Sequence, residues 1–136
     1  MTDLSITAGN VKWVNGQQPR QVKGGATITR GQVLRQQTDG EYILADASAL
    51  TTAGAVAIAV TDGNDGSPML VAEAGAKINV GATTVAGKAY VLSATAGGIA
   101  PIDDLLATEA PVLLFWGTGS AEVTLVFSAS PVIIPA

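Results

Sequence analysis

A glycine-flanked pattern occurs twice in this chain and constrains its fold more than any other feature. Gly25-Ala26-Thr27, with Gly31 six residues after Gly25, returns 56 residues later as Gly81-Ala82-Thr83 with Gly87. Further on, Gly40 matches Gly97 and Asp46 matches Asp103 at a spacing of 57, and the apolar run after Gly54 matches the one after Pro111 at the same spacing. Each half reads in one order: glycine-flanked strand, hairpin, short helical turn, apolar strand, glycine turn, apolar strand. A unit of about 55 residues is marginal alone, burying only about 60% of the surface its unfolded chain exposes, whereas two can close on each other. The expectation is two pseudo-symmetric repeats, approximately 24–80 and 81–134.

Periodicity predicts strands almost throughout. Ala55-Val56-Ala57-Ile58-Ala59-Val60 alternates small and β-branched residues, as a strand buried on both faces would. Glu122-Val123-Thr124-Leu125-Val126-Phe127 places Val123, Leu125 and Phe127 on one face, and Val112 to Trp116 is a continuous apolar run. Strand-sized runs also lie at Gln32–Arg35, Glu41–Ala45, Met69–Glu73, Lys88–Leu92 and Gly98–Ile102. Turn signals separate them: Thr38-Asp39-Gly40, Asp62-Gly63-Asn64-Asp65-Gly66, Ala96-Gly97-Gly98 and Gly117-Thr118-Gly119. Two short helical turns are expected, at Asp46–Leu50 and at Asp103–Glu109, with aspartates at their starts. The fold class read from this is all-β, a small barrel or sandwich of short strands. It comprises a β-domain over 24–136 preceded by an extended N-terminal arm, 1–23.

The composition says what such a fold would do with its surface. Only 13% of residues are charged, about half the usual share of ~25%. A monomer so poor in charge exposes apolar patches that normally mark interfaces, so an oligomer or an obligate partner is expected. The charge is also uneven. Residues 1–35 hold Lys12, Arg20, Lys23, Arg30 and Arg35 against Asp3, a net of +4, and the remainder carries −8. The N-terminal part is therefore expected to face something acidic, or the acidic body of a neighbouring copy.

Catalytic chemistry finds little to work with. No cysteine and no histidine is present, which removes the thiolate, the commonest general base and the commonest zinc ligand. Asp103 and Asp104 are adjacent and read as helix caps. Asp62–Gly66 has aspartate and asparagine at alternate positions like a calcium loop, and Glu73 falls at the twelfth position, but Gly66 stands at the fifth and the interior holds Pro68 and Met69. It reads as a hairpin turn. Gly117-Thr118-Gly119 lacks the helix and downstream glycine of a nucleotide fingerprint. For nucleic acid, the basic segment has a single aromatic, Trp13. No enzyme activity, catalytic residue, cofactor or metal site is expected, and no nucleic-acid partner. The start of the chain lacks the basic and apolar run of a secretory signal, and the uncharged stretch Val123–Ala136 is short and broken by Pro131 and Pro135, so synthesis in the cytoplasm and no membrane span are expected.

The arm contains Leu4, Ile6, Val11, Trp13 and Val14 and has strand potential: it is either disordered or adds a strand to a neighbour's sheet. Trp13, between Lys12 and Val14, either anchors in a partner's groove or packs back on its own domain. Trp116, inside an apolar run, reads as core or subunit interface. The tail residues Val132, Ile133 and Ile134 are candidates for the same interface.

Three stretches, Thr29-Arg30-Gly31-Gln32-Val33-Leu34, Glu41-Tyr42-Ile43-Leu44-Ala45 and Ala53-Gly54-Ala55-Val56-Ala57-Ile58-Ala59-Val60, resemble the capsid decoration (head-cement) proteins of tailed bacteriophages. The resemblance covers mainly residues 25–80, and the second half enters through the repeat. It implies a structural protein that sits on the outer capsid surface as a homotrimer, binds the major capsid protein and stabilises the head. By position it assigns docking to the arm: Leu4, Ile6, Val11, Lys12, Trp13, Val14, Arg20 and Val22. It also implies a location in the virion. The competing reading is a domain of a head fibre, adhesin or other surface-attached module.

Overall fold

The computed structural model describes residues 3–49, 52–104 and 112–129. Among them run the strands β1 (Lys12–Gly16), β2 (Arg20–Lys23), β3 (Val33–Gln36), β4 (Tyr42–Leu44), β5 (Ala55–Ala59), β6 (Pro68–Ala72), β7 (Ala76–Asn79), β8 (Ala89–Leu92), β9 (Ile99–Pro101), β10 (Val112–Trp116) and β11 (Glu122–Ala129). Single 3-10 turns occupy Ala8–Asn10 and Ile102–Asp104. The chain is all-β, and of the two expected architectures it adopts the sandwich-like one rather than a closed barrel.

Two antiparallel sheets are formed, one in the order β2-β6-β5-β3-β4, the other in the order β1-β7-β11-β10-β8-β9. With β1 set aside, the second order is the first with every strand moved five places along the chain. The repeat is therefore a repeat of topology, and its units run from Arg20 to Ala72 and from Ala76 to Ala129. These limits correct the expected ones: β2 lies in the segment read as arm, and β7 in what was read as the end of the first repeat. Each opening strand has only one large apolar residue, Val22 or Ile78, so neither makes an apolar run.

Register strengthens the equivalence. In the first unit Val33 pairs with Ile58, Leu34 with Ala57 and Arg35 with Ala55, with a bulge between the last two pairs. In the second, Ala89 pairs with Trp116, Tyr90 with Phe115 and Val91 with Leu113, with a bulge at the same step. The strand entries match as well. Gly31 N–H donates to Ala59 O while Ala59 N–H donates to Gln32 O; likewise Gly87 N–H donates to Gly117 O and Gly117 N–H to Lys88 O. Gly31 and Gly87 both have positive φ, +90° and +79°, which is why glycine recurs at this point of the pattern.

Residues paired across strands share a sheet face, so the pairings show how the units pack. One face of the first sheet carries Val22, Leu34, Tyr42, Ala57, Ala59, Met69 and Val71, a core of its own closed over by Ile28. That sheet curls until Gly24, just past β2, bridges Tyr42 at the start of β4. Its other face, with Val33, Ile58, Val60 and Ala72, merges into a larger core with Ile78, Tyr90, Leu92, Phe115, Val123 and Leu125 of the second sheet. Tyr90 and Phe115 stack there at 5.3 Å between ring centroids. The faces that meet are not equivalent. Leu34 and Tyr90 correspond, yet Leu34 lies in the first sheet's own core and Tyr90 in the shared one. The two units pack head to tail.

Other expectations resolve plainly. Residues 46–49 form a turn rather than a helix, held by Asp46, whose carboxylate accepts from the backbone N–H and hydroxyl of Ser48 and from the Thr52 hydroxyl. Of Asp103–Glu109, residues 103 and 104 fall in the 3-10 turn and 105–109 lie outside the described residues. The Asp62–Gly66 stretch joins β5 to β6 as a turn: Ser67 N–H donates to Asn64 O, and Gly63 exchanges hydrogen bonds with Ile28. β5 is buried on both faces except at Val56.

Candidate functional site

The residues read as an arm are laid into this chain's own sheets. β1 pairs with β7, and β2 with β6. Val11 and Val22 are core residues, 2% and 9% exposed, so their side chains are committed within the chain. Trp13 packs against the shared core, and its indole N–H donates to Gln17 O at 2.9 Å. Of its two readings, packing back on its own domain is the contact seen within the chain. Val14 is half-buried and Lys12 exposed. Arg20 is exposed and pairs with Glu73 at 3.5 Å. Leu4 and Ile6 are half-buried against the shared core.

The uneven charge is also answered within the chain. Beside Arg20–Glu73, Lys23 lies 3.4 Å from Glu41 and Arg30 3.6 Å from Asp62. Three of the five early basic residues face acids of the same domain: Glu73 just after β6, Glu41 just before β4 and Asp62 between β5 and β6.

Two features remain as surfaces. The first is the outer face of the second sheet. Trp116 is 53% exposed and pairs with Ala89. On the far side of Ala89, one step beyond the Tyr90–Pro101 pair, lies Ile102, 46% exposed. Val85, 57% exposed, packs its backbone against Gly117, next to Trp116. Val126 on β11 is exposed as well. The flank is polar, with Lys77 and Glu122 paired across β7 and β11 at 3.5 Å. The result is an apolar row with a charged border, the anatomy of a protein–protein contact. Of the residues expected at an oligomer interface, Trp116 is on this face; Val132, Ile133 and Ile134 lie outside the described residues.

The second feature is a groove that holds the start of the chain. Leu4 N–H donates to Ile99 O at 2.7 Å and Thr7 N–H to Gly81 O at 2.8 Å. The Ser93 hydroxyl donates to the Asp3 carboxylate at 2.6 Å. Side chains at Gly31, Gly81 or Gly98 would obstruct this segment. A Cβ on Gly81 would stand 2.7 Å from Thr7 O and 2.9 Å from Ile6 Cγ2; one on Gly31, 3.0 Å from that methyl; one on Gly98, 2.8 Å from Asp3 Oδ2. A cleft of about 340 Å³ continues alongside, lined also by Arg30 and Gln32. The sequence shows Gly31 and Gly81 as parts of a repeat and Gly98 as part of a turn, but not the three as the floor of a groove. The available signal was that Gly31 and Gly81 come from different units, so a structure bringing the units together also brings the glycines together.

Among the described residues, no group of three or more acidic side chains is placed to hold a metal ion, and no helix is long and apolar enough to cross a membrane. Asp46 has a displaced pKa. Partial burial opposes its charge, but the hydrogen bonds from Ser48 and Thr52 and the Arg35 guanidinium outweigh that and hold it below its ordinary value. Its partners are all structural. A comparison with known proteins finds no matching family model, no similar curated protein and no similar solved structure.

Proposed function

We propose that this protein is a non-enzymatic structural protein that binds the outer surface of a viral capsid as an oligomer, a homotrimer, and stabilises the shell. The observation that carries the adhesive part of this reading is the row Trp116, Ala89 and Ile102. An exposed tryptophan in an apolar patch is among the residue types that most often dominate a protein contact. The capsid as the surface, and the virion as the location, rest on the resemblance of residues 25–80 to phage decoration proteins. A tightly hydrogen-bonded sandwich suits a clamp, and many copies bound at once turn weak contacts into lasting attachment. Docking passes in this reading from the N-terminal residues, which serve the chain's own fold, to the Trp116 face.

Co-sedimentation with expanded, undecorated heads tests it. The intact chain is expected to pellet with heads and raise their resistance to chelator or heat, and Trp116→Ser to stay in the supernatant while remaining folded. Equal binding by the two chains would remove Trp116 from the contact, and absence of binding to any tailed-phage head would remove the capsid.

A further inference from the structure

The first unit closes on itself: Gly25 N–H donates directly to Tyr42 O at 2.8 Å. By the repeat, the corresponding groups of the second unit are Gly81 and Ile99. They do not meet. The segment Leu4–Thr7 stands between them and hydrogen-bonds to both, through Leu4 N–H on Ile99 O and Thr7 N–H on Gly81 O. This segment is outside either repeat and completes the second by insertion.

The insertion is built as a socket. Leu4 and Ile6 turn inward, with Ser5 and Thr7 outward, the two-residue alternation of an extended strand. Ile6 enters the space left by the missing side chains of Gly31 and Gly81, one glycine from each unit. Few bonds hold the segment, and the chain leaves it through the 3-10 turn Ala8–Asn10, where Gly9 has nothing within 4 Å of where a Cβ would be. From Val11, which is buried, residues 3–10 extended would span roughly 26 Å at about 3.3 Å per residue. That is the length available to bridge to the same groove on an adjacent molecule. Exchange of an identical element between protomers reuses contacts that already exist and so costs little.

We propose that the groove floored by Gly31, Gly81 and Gly98 is a strand-acceptor site, and that in the assembled protein it takes the Leu4–Thr7 segment of a second copy, each chain completing its neighbour's second unit. The segment's own chain competes at an effective concentration on the order of millimolar, so exchange prevails where copies are held together, in an oligomer or side by side on a surface. The inference needs only a second copy of this chain and stands or falls separately from the capsid reading.

The chain has no cysteine, so introduced thiols are unique. Asp3→Cys and Ser93→Cys chains, made separately, are unfolded together, refolded at high concentration and treated with a short bis-thiol crosslinker. A mixed dimer joining residue 3 of one chain to residue 93 of the other is expected, and Ile6→Asp on the Asp3→Cys chain should reduce it at least tenfold. A mixed product no greater than with Ile6→Asp, together with a doubly substituted chain that crosslinks only within itself, would overturn the proposal. Should either thiol variant fail to refold, a labelled peptide of residues 1–8 replaces it, added to a chain lacking residues 1–7. Saturable binding, or refolding that depends on the peptide, is expected and should be lost with Gly81→Val. A truncated chain that folds unaided and ignores the peptide would sink the acceptor site.

Discussion

The two repeats present the same face of the same sheet to different surroundings. In the first, Val33, Ile58 and Ala45 are 0% exposed, pressed into the shared core. Their counterparts in the second are Ala89, Trp116 and Ile102, of which the last two stand 53% and 46% exposed. The difference follows from head-to-tail packing. Two units related by a two-fold axis would bury the same face on each and leave nothing over, whereas two units stacked in one direction leave one face of the second uncovered. That leftover face is where the chain has placed its larger, flatter side chain.

The comparison breaks most directly if the two positions respond alike. Ile58→Ala should cost about 2–5 kcal/mol of unfolding free energy, the usual range for truncating a fully buried isoleucine. Trp116→Ala should change stability by less than about 1 kcal/mol, in keeping with surface positions, while weakening self-association or attachment by about 30-fold, a hot-spot loss of ~2 kcal/mol. Urea titration reads the first quantity, and light scattering with head co-sedimentation the second. A Trp116 variant as destabilised as the Ile58 one, with assembly intact, would mean that the tryptophan is simply core.

A second pair tests how far the repeat extends into chemistry. The position after Gly-Ala-Thr is Ile28 in one unit and Thr84 in the other, each 2% exposed. Ile28 fills the first sheet's own core. Thr84 instead donates to Ser120 O at 2.7 Å and accepts from Thr118 N–H at 3.0 Å, tying the β10–β11 turn to the entry of β8. Thr84→Val keeps the shape but leaves Thr118 N–H without its partner, while Ser120 O retains the Thr84 backbone N–H, at a cost of about 1–3 kcal/mol. If Thr84→Val is neutral by chemical denaturation, the hydroxyl is incidental and the units are more alike than their hydrogen bonds suggest.

Gly31 and Gly87 separate backbone strain from crowding. An alanine at either position meets the penalty of positive φ, roughly 1–2 kcal/mol. Gly87→Ala should cost only this, because nothing lies within 4 Å of its Cβ position. Gly31→Ala should cost measurably more, since its Cβ meets Ile6 at 3.0 Å and Val11 at 3.1 Å. In an Ile6→Ala background the excess should shrink. Equal losses at the two glycines would show that Leu4–Thr7 does not occupy the groove in solution.

The order of strands in each unit was legible because apolar runs and glycine turns follow one another at the same spacing twice. What escaped was whatever depends on partners rather than on local pattern. β2 and β7 each carry a single large apolar residue and become strands because a neighbour offers its edge. Lys12 and Trp13 look like part of a free arm until β7 is there to receive them. Trp116 could be placed in a strand, but its face could not be assigned until the bulge beside Leu113 was known, since a bulge shifts the alternation by one. The groove was the least visible, being assembled from glycines whose significance is an absent side chain.

The smallest effect concerns Asp46 and its repeat counterpart Asp103. Asp103 reaches Lys88 at 2.8 Å from an exposed position, 67% accessible, where an ion pair contributes little and is screened by salt. Asp46 is enclosed by the Ser48 and Thr52 hydroxyls, with Arg35 nearby, and its carboxyl titrates below 3.8, its ordinary value. The folded state therefore prefers the charged form more than the unfolded state does. The resulting stability is fully present above the unfolded value and is lost as pH falls through the folded one. Thermal midpoints between pH 5 and pH 2, pH values chosen to bracket roughly the ordinary carboxylate value, should fall less steeply in Asp46→Asn than in the parent chain. Asp103→Asn should alter the salt dependence of stability. Identical slopes for the parent and Asp46→Asn would mean that the hydroxyl network does not persist in solution, and the 46–49 turn would then be no better anchored than its counterpart at Asp103.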